Sequence, residues 1–127
     1  MDERTNEILR RFAASWIDTQ NRFNFLIQQL SFEQLVPIRD FIEDLKQKGK
    51  EKYFRLGTSM HVLMISRSVN HGLRNDQKYI RIEAINSSDF EISFRDGNKT
   101  YREYRIKTLN EIQLKKLLDT LEHTLVD

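Results

Sequence analysis

Three histidines are the first residues to weigh for chemistry, because imidazole titrates near neutrality and ligates metals. His61, His71 and His123 fall on a predicted strand, a predicted loop and a predicted terminal helix, without the i, i+4 or short-loop spacing that metal sites use. They read as solvated or core-satisfied side chains, and no metal is expected. Acidic pairs such as Glu43 with Asp44 and Glu83 with Glu91 could share acid and base roles only in a pocket that drives their pKa values apart. The chain has no cysteine, which excludes thiol catalysis, disulfides and thiolate metal sites and fits a reducing compartment. A Gly-rich phosphate loop, a nucleophile elbow and an HExxH pair are also missing. A small enzyme without a recognisable motif is therefore the third reading, and no cofactor is expected.

Residues suited to binding are better supplied, in three sets. Tyr79, Arg81, Arg95, Tyr101, Arg105 and Lys107 alternate along predicted strands, so cations for phosphates and flat rings for bases would share one sheet face. Glu83, Glu91 and Glu103 fall on that same face and can pair with the arginines across strands. Single-stranded nucleic-acid binding is accordingly the alternative reading. The segment from Val69 to Gln77 carries His71, Leu73 and Arg74 between Arg67 and Lys78, a loop rich in donors with one apolar residue to offer. The third set is the aromatic stripe of the first helix, with Trp16 and Phe23. These two and the three loop residues are the candidate contacts for a protein partner of unknown identity, and a homodimer is one way to bury the stripe.

The elements that would position these sets follow from periodicity. Leu9, Phe12, Trp16, Thr19, Phe23, Leu26 and Leu30 step by three and four, which predicts a long amphipathic helix over about 5–30. Ser31 with Gln34 reads as a capping box, stapled by Leu30 and Leu35, that starts a second helix. Pro37 would then lie past the first turn and impose a kink or a 3₁₀-like start. Gly49 supplies a left-handed stop after Lys46 and Lys48. The two helices, joined by so short a turn, should form an antiparallel hairpin over about 5–48.

From Tyr53 the period becomes two. Strands are predicted at about 52–56, 60–68, 78–85, 90–95 and 100–107, with turns at Gly57-Thr58-Ser59, at 86–89 and at Asp96-Gly97-Asn98. Ile80, Ile82, Ala84, Phe90, Ile92, Phe94, Tyr104 and Ile106 would face a core. The strand from His61 to Ser68, apolar on both sides, needs cover on each. A last helix over about 109–125, capped by Thr108 with Glu111 or by Asn110 with Gln113, would close the sheet with Leu114, Leu117, Leu118, Leu121 and Leu125.

The predicted class is α+β in one domain spanning 1–127: an N-terminal helical hairpin, an antiparallel meander of four or five strands over about 52–107, and a terminal helix packed on the sheet. A chain of 127 residues with 39% hydrophobic residues can bury roughly two thirds of its unfolded surface. Its net charge of +2 indicates no polyanion by itself. No signal peptide or membrane span is read, so a cytoplasmic location is expected. The leading functional expectation is a small non-enzymatic interaction or regulatory module that acts by protein–protein contact.

Overall fold

The computed structural model describes residues 3–69, 77–97 and 99–124. The first helix, α1 (Glu3–Leu30), runs unbroken for 28 residues, about 42 Å at 1.5 Å per residue. Phe12, Trp16, Thr19, Phe23 and Leu26 are its buried stripe, spaced as the sequence implies, and Ser15 and Ile27 are buried beside them. Ser31 ends the helix differently from expectation. It turns left-handed at φ 58°, a conformation that costs a non-glycine residue about 1–2 kcal/mol, and the Phe32 amide closes back on the Leu26 carbonyl at 3.1 Å. An N-cap needs extended backbone, so the Ser31–Gln34 capping box does not form. The staple is absent too, since Leu30 is 50% exposed while Leu35 is fully buried.

A 3₁₀ turn over Glu33–Leu35 leads into α2 (Val36–Gln47), which places Pro37 in the first turn, where its missing N–H leaves no bond unmade. Gly49 stops α2 at φ 78°, with its amide on the Lys46 carbonyl at 3.0 Å. Gln20 donates to Glu43 at 3.0 Å and accepts from Lys46 at 3.4 Å. These residues lie about equally far from the Ser31 turn on either side, so α1 and α2 run antiparallel as a hairpin.

A second 3₁₀ turn, Lys50–Lys52, precedes the sheet. Its strands β1 (Arg55–Ser59), β2 (Val62–Ser66), β3 (Lys78–Asn86), β4 (Asp89–Asp96) and β5 (Lys99–Ile106) form an antiparallel meander in sequence order. The first strand lies about three residues later than its pattern suggested. The hairpin turns at Met60-His61 instead of Gly57-Thr58-Ser59, because Ser59 pairs with Val62 and Met60 adopts φ 57°. Gly57 is thereby drawn into β1, opposite Met64.

Register sorts the faces. Leu56, Ile65, Ile80 and Phe94 lie in one row, with Leu63, Ile82 and Ile92 in the next and Ala84, Phe90 and Ile106 in a third. All are buried, and they share one core with Trp16, Phe23, Leu35, Ile38, Ile42 and the leucines of α3 (Ile112–Glu122). Of the two caps expected for α3, half of one exists: the Glu111 carboxylate accepts from the Lys107 and Thr108 amides at 2.8 and 3.2 Å. Leu125 lies outside the described residues. Among the described residues no helix is long and apolar enough to cross a membrane.

Candidate binding cleft at the covered edge of the sheet

A sheet edge presents unpaired backbone donors and acceptors, which must be covered, blunted or used. Among the described residues strand β1 pairs only with β2, and its outer edge meets α1. There the helix does what a neighbouring strand would do. Ser15 Oγ donates to its own helix at the Phe12 carbonyl (2.6 Å) and accepts the Leu56 amide (3.0 Å), while Trp16 Nε1 donates to the Phe54 carbonyl (2.8 Å). Buried polar residues in a helix carry an energetic penalty unless bonded, so Ser15 and the Trp16 indole are explained by this contact.

Among the described residues the bonded cover stops after Leu56. In a strand the N–H and C=O of one residue project together and alternate residues project oppositely, so Thr58, two residues on from Leu56, also aims its backbone groups at the α1 side. Beside it opens a cleft of about 450 Å³, lined by Ser15, Asp18 and Thr19 of α1, by Arg55 to Ser59 of β1, and by Met64 and Ser66 of β2. Gly57 helps to hold it open, since a Cβ built there would meet nothing within 4 Å. Its φ is not left-handed, so the side chain is absent without a backbone reason.

Two opposite charges face the cleft. Arg55 donates one guanidinium N–H to the Val69 carbonyl at 2.6 Å. Burial lowers its pKa, repulsion from Arg11 adds to that, and attraction from Asp18 opposes it. Asp18 acts on Arg55 through space without closing to an ion pair, and no side chain among the described residues bridges it. Among the described residues the lining thus offers five hydroxyl-bearing side chains, one carboxylate, one guanidinium, the Met64 thioether and the Thr58 backbone. Among the described residues it contains no imidazole, and it suits hydrogen bonding and charge pairing more than proton relay.

The residues singled out by sequence are placed as follows. Trp16 and Phe23 are both 0% exposed, so they belong to the core of this chain and present no surface to a partner. Within the chain α1 packs against β1 and α2, which buries Phe12, Trp16, Thr19, Phe23 and Leu26 of the stripe and leaves Leu30 50% exposed. His71, Leu73 and Arg74 lie outside the described residues. Tyr79 is 7% exposed, paired with Ser66 and Arg95, and its ring is not available for stacking; Tyr101 is 45% exposed at a bulge between Phe94 and Arg95, with Lys99 Nζ 5.1 Å from its centroid.

The cations of that face are largely committed to acids. Arg81 bonds Glu83 at 3.0 Å, and Arg105 grips Asp89 with two bonds of 2.8 and 2.9 Å. The pairing holds the Asp89 carboxyl below its ordinary value and the Arg105 guanidinium above its own. Arg95 Nε is buried without a hydrogen-bond partner among the described residues. Lys107 is exposed beyond the end of β5. His61 sits 3.8 Å from Glu83 and against the Phe32 ring. At the end of α3, Asp119, Glu122 and the following residue His123 bring ligand atoms within 4.8 Å of one another, a clustering at i, i+3 and i+4 that the histidine spacing alone did not reveal. Lys50 already occupies Glu122 at 2.9 Å, and His123 Nδ1 lies 2.7 Å from the Asp119 carbonyl.

Asp18, Arg55, Gly57 and Thr58 were not singled out by the sequence. The one available signal was Gly57, which read as a turn. Comparison with known proteins finds no matching family model, no similar curated protein and no similar solved structure.

Proposed function

We propose that this chain is a non-enzymatic interaction module that receives a short extended segment of a partner protein in the cleft between α1 and β1. The observation that carries the reading is the interrupted cover of the β1 edge: α1 satisfies Phe54 and Leu56 and leaves the Thr58 backbone facing a cleft of about 450 Å³. Strand addition at such an edge gives affinity through main-chain bonds and specificity through flanking side chains. Asp18, Arg55 and the surrounding hydroxyls supply the flanking chemistry.

The test is a random hexapeptide array probed with labelled protein and with its Gly57→Val variant. Valine is at home in a strand, and its side chain would project into the cleft without a clash. The expected result is a set of peptides held by the wild type and weakened about tenfold or more by Gly57→Val, which corresponds to about 1.4 kcal/mol. The variant should melt no lower than the wild type. If the wild type holds no peptide, or both proteins hold the same peptides equally, the cleft is not a segment-binding site.

A further inference from the structure

We infer that the segment taken by the cleft is a free carboxy terminus with a basic side chain within its last two residues. This rests on the segment-binding reading above and adds the class of ligand. The uncovered edge is short: from Leu56 to Ser59 it extends roughly 10 Å at about 3.3 Å per residue, the length of three extended residues. At one end the Ser15 and Trp16 bonds clamp α1 onto the strand, and at the other Met60 turns the chain away at φ 57°. A strand running through would collide with α1 at the clamped end. A chain that stops there would not.

The chemistry at the closed end selects which terminus stops. Arg55, the strand residue beside the clamp, is a half-buried cation near Arg11, and among the described residues one of its N–H groups is spent, on the Val69 carbonyl. A terminal carboxylate is the anion whose planar geometry matches the remaining guanidinium donors. With its carboxylate at Arg55, the ligand runs antiparallel to β1 and passes the Thr58 N–H and C=O. Asp18, exposed on the far side of the cleft and without an ion pair among the described residues, would lose water when a ligand covers it, and a lysine or arginine side chain of the ligand supplies the cation that compensates. The ligand end would carry one positive and one negative group, as the cleft does, so that neither charge of the site is buried unpaired.

The test uses the intact chain, ¹⁵N-labelled, titrated with an N-acetylated hexapeptide that has a penultimate lysine and a free carboxylate. Its carboxamide and its lysine-to-glutamate version are the comparisons. The free acid should shift the amides of Leu56, Thr58 and Ser59 and bind at least about tenfold more tightly than the carboxamide. Arg55→Gln should erase the difference between acid and carboxamide. Asp18→Asn should erase the preference for lysine over glutamate and keep the difference between acid and carboxamide. Because amidation alters the ligand alone, the main contrast does not depend on how a variant folds. Equal binding of acid and carboxamide at these amides overturns the carboxy-terminus assignment and leaves segment binding standing. Shifts from neither peptide overturn the assignment too, and the peptide array then decides the broader reading by itself.

Discussion

The two edges of the sheet solve one problem in opposite ways. At β1 a helix lies against the edge, and the Ser15 hydroxyl and Trp16 indole take the places of strand partners. At β5 no element covers the outer edge among the described residues; Lys99, Arg102, Glu103 and Arg105 are exposed along it, and a bulge at Phe94/Arg95 disturbs its register. Charges and bulges discourage any chain from pairing there. Covering by a helix protects only as far as the helix fits, so the gap beyond Leu56 is where pairing remains possible, and its walls decide with what. On the proposed function, the covered edge is therefore the selective one.

Removing the cover should have the largest effect. Trp16→Ala deletes a fully buried indole and strands the Phe54 carbonyl, and should cost about 3–5 kcal/mol in denaturant unfolding. Ser15→Ala leaves the Leu56 amide without its acceptor, with an expected loss of about 1–3 kcal/mol and faster hydrogen exchange at that amide. If Ser15→Ala is neutral by both measures, α1 does not serve as the edge partner.

The opposite edge should respond in solubility instead. Replacing Arg102 and Glu103 together with valine should change unfolding free energy by no more than about 0.5 kcal/mol, yet produce concentration-dependent association in light scattering. A monodisperse double variant would show that charge is not what blunts β5.

The smallest effect concerns the Arg105–Asp89 pair. Arg105 holds the Asp89 carboxyl below its ordinary 3.8, so the contribution of the pair is present above that pH and is lost as the pH falls through the lowered value. Arg105→Gln should therefore lower stability slightly near neutrality and flatten the acid limb of a plot of stability against pH, with the two curves converging at the acid end. The Arg105 guanidinium is solvent-facing, so the effect should shrink in high salt.

Much of the architecture was legible in residue spacing, because the 3.6 and 2.0 periods of α1, β3, β4 and β5 are long and little interrupted. Pro37 and Gly49 also announced the irregular start and left-handed stop of α2. What spacing could not reveal was which turn the first hairpin would use. Met60-His61 has no turn chemistry, and the chain adopts φ 57° at Met60 so that Leu56 and Leu63 reach the core face together; packing overrode local preference. With the turn misplaced, Gly57 read as a loop residue and its role at the cleft was hidden. Trp16 and Phe23 read as an exposed apolar surplus because a stripe on a helix does not say how much of the same chain will cover it. Asp18 and Arg55, 37 positions apart in the sequence, meet only through the edge contact that Ser15 and Trp16 create.

Amide hydrogen exchange, with and without a peptide selected on the array, tests the central claim most directly, because it reads both edges in one experiment. The expected result is that Leu56 is slow in both states, Thr58 is fast alone and slowed about tenfold or more by the peptide, and the amides of β5 do not change. A Thr58 amide that exchanges at the same rate with saturating peptide, or protection that arises along β5, would contradict the assignment of the covered edge as the binding edge.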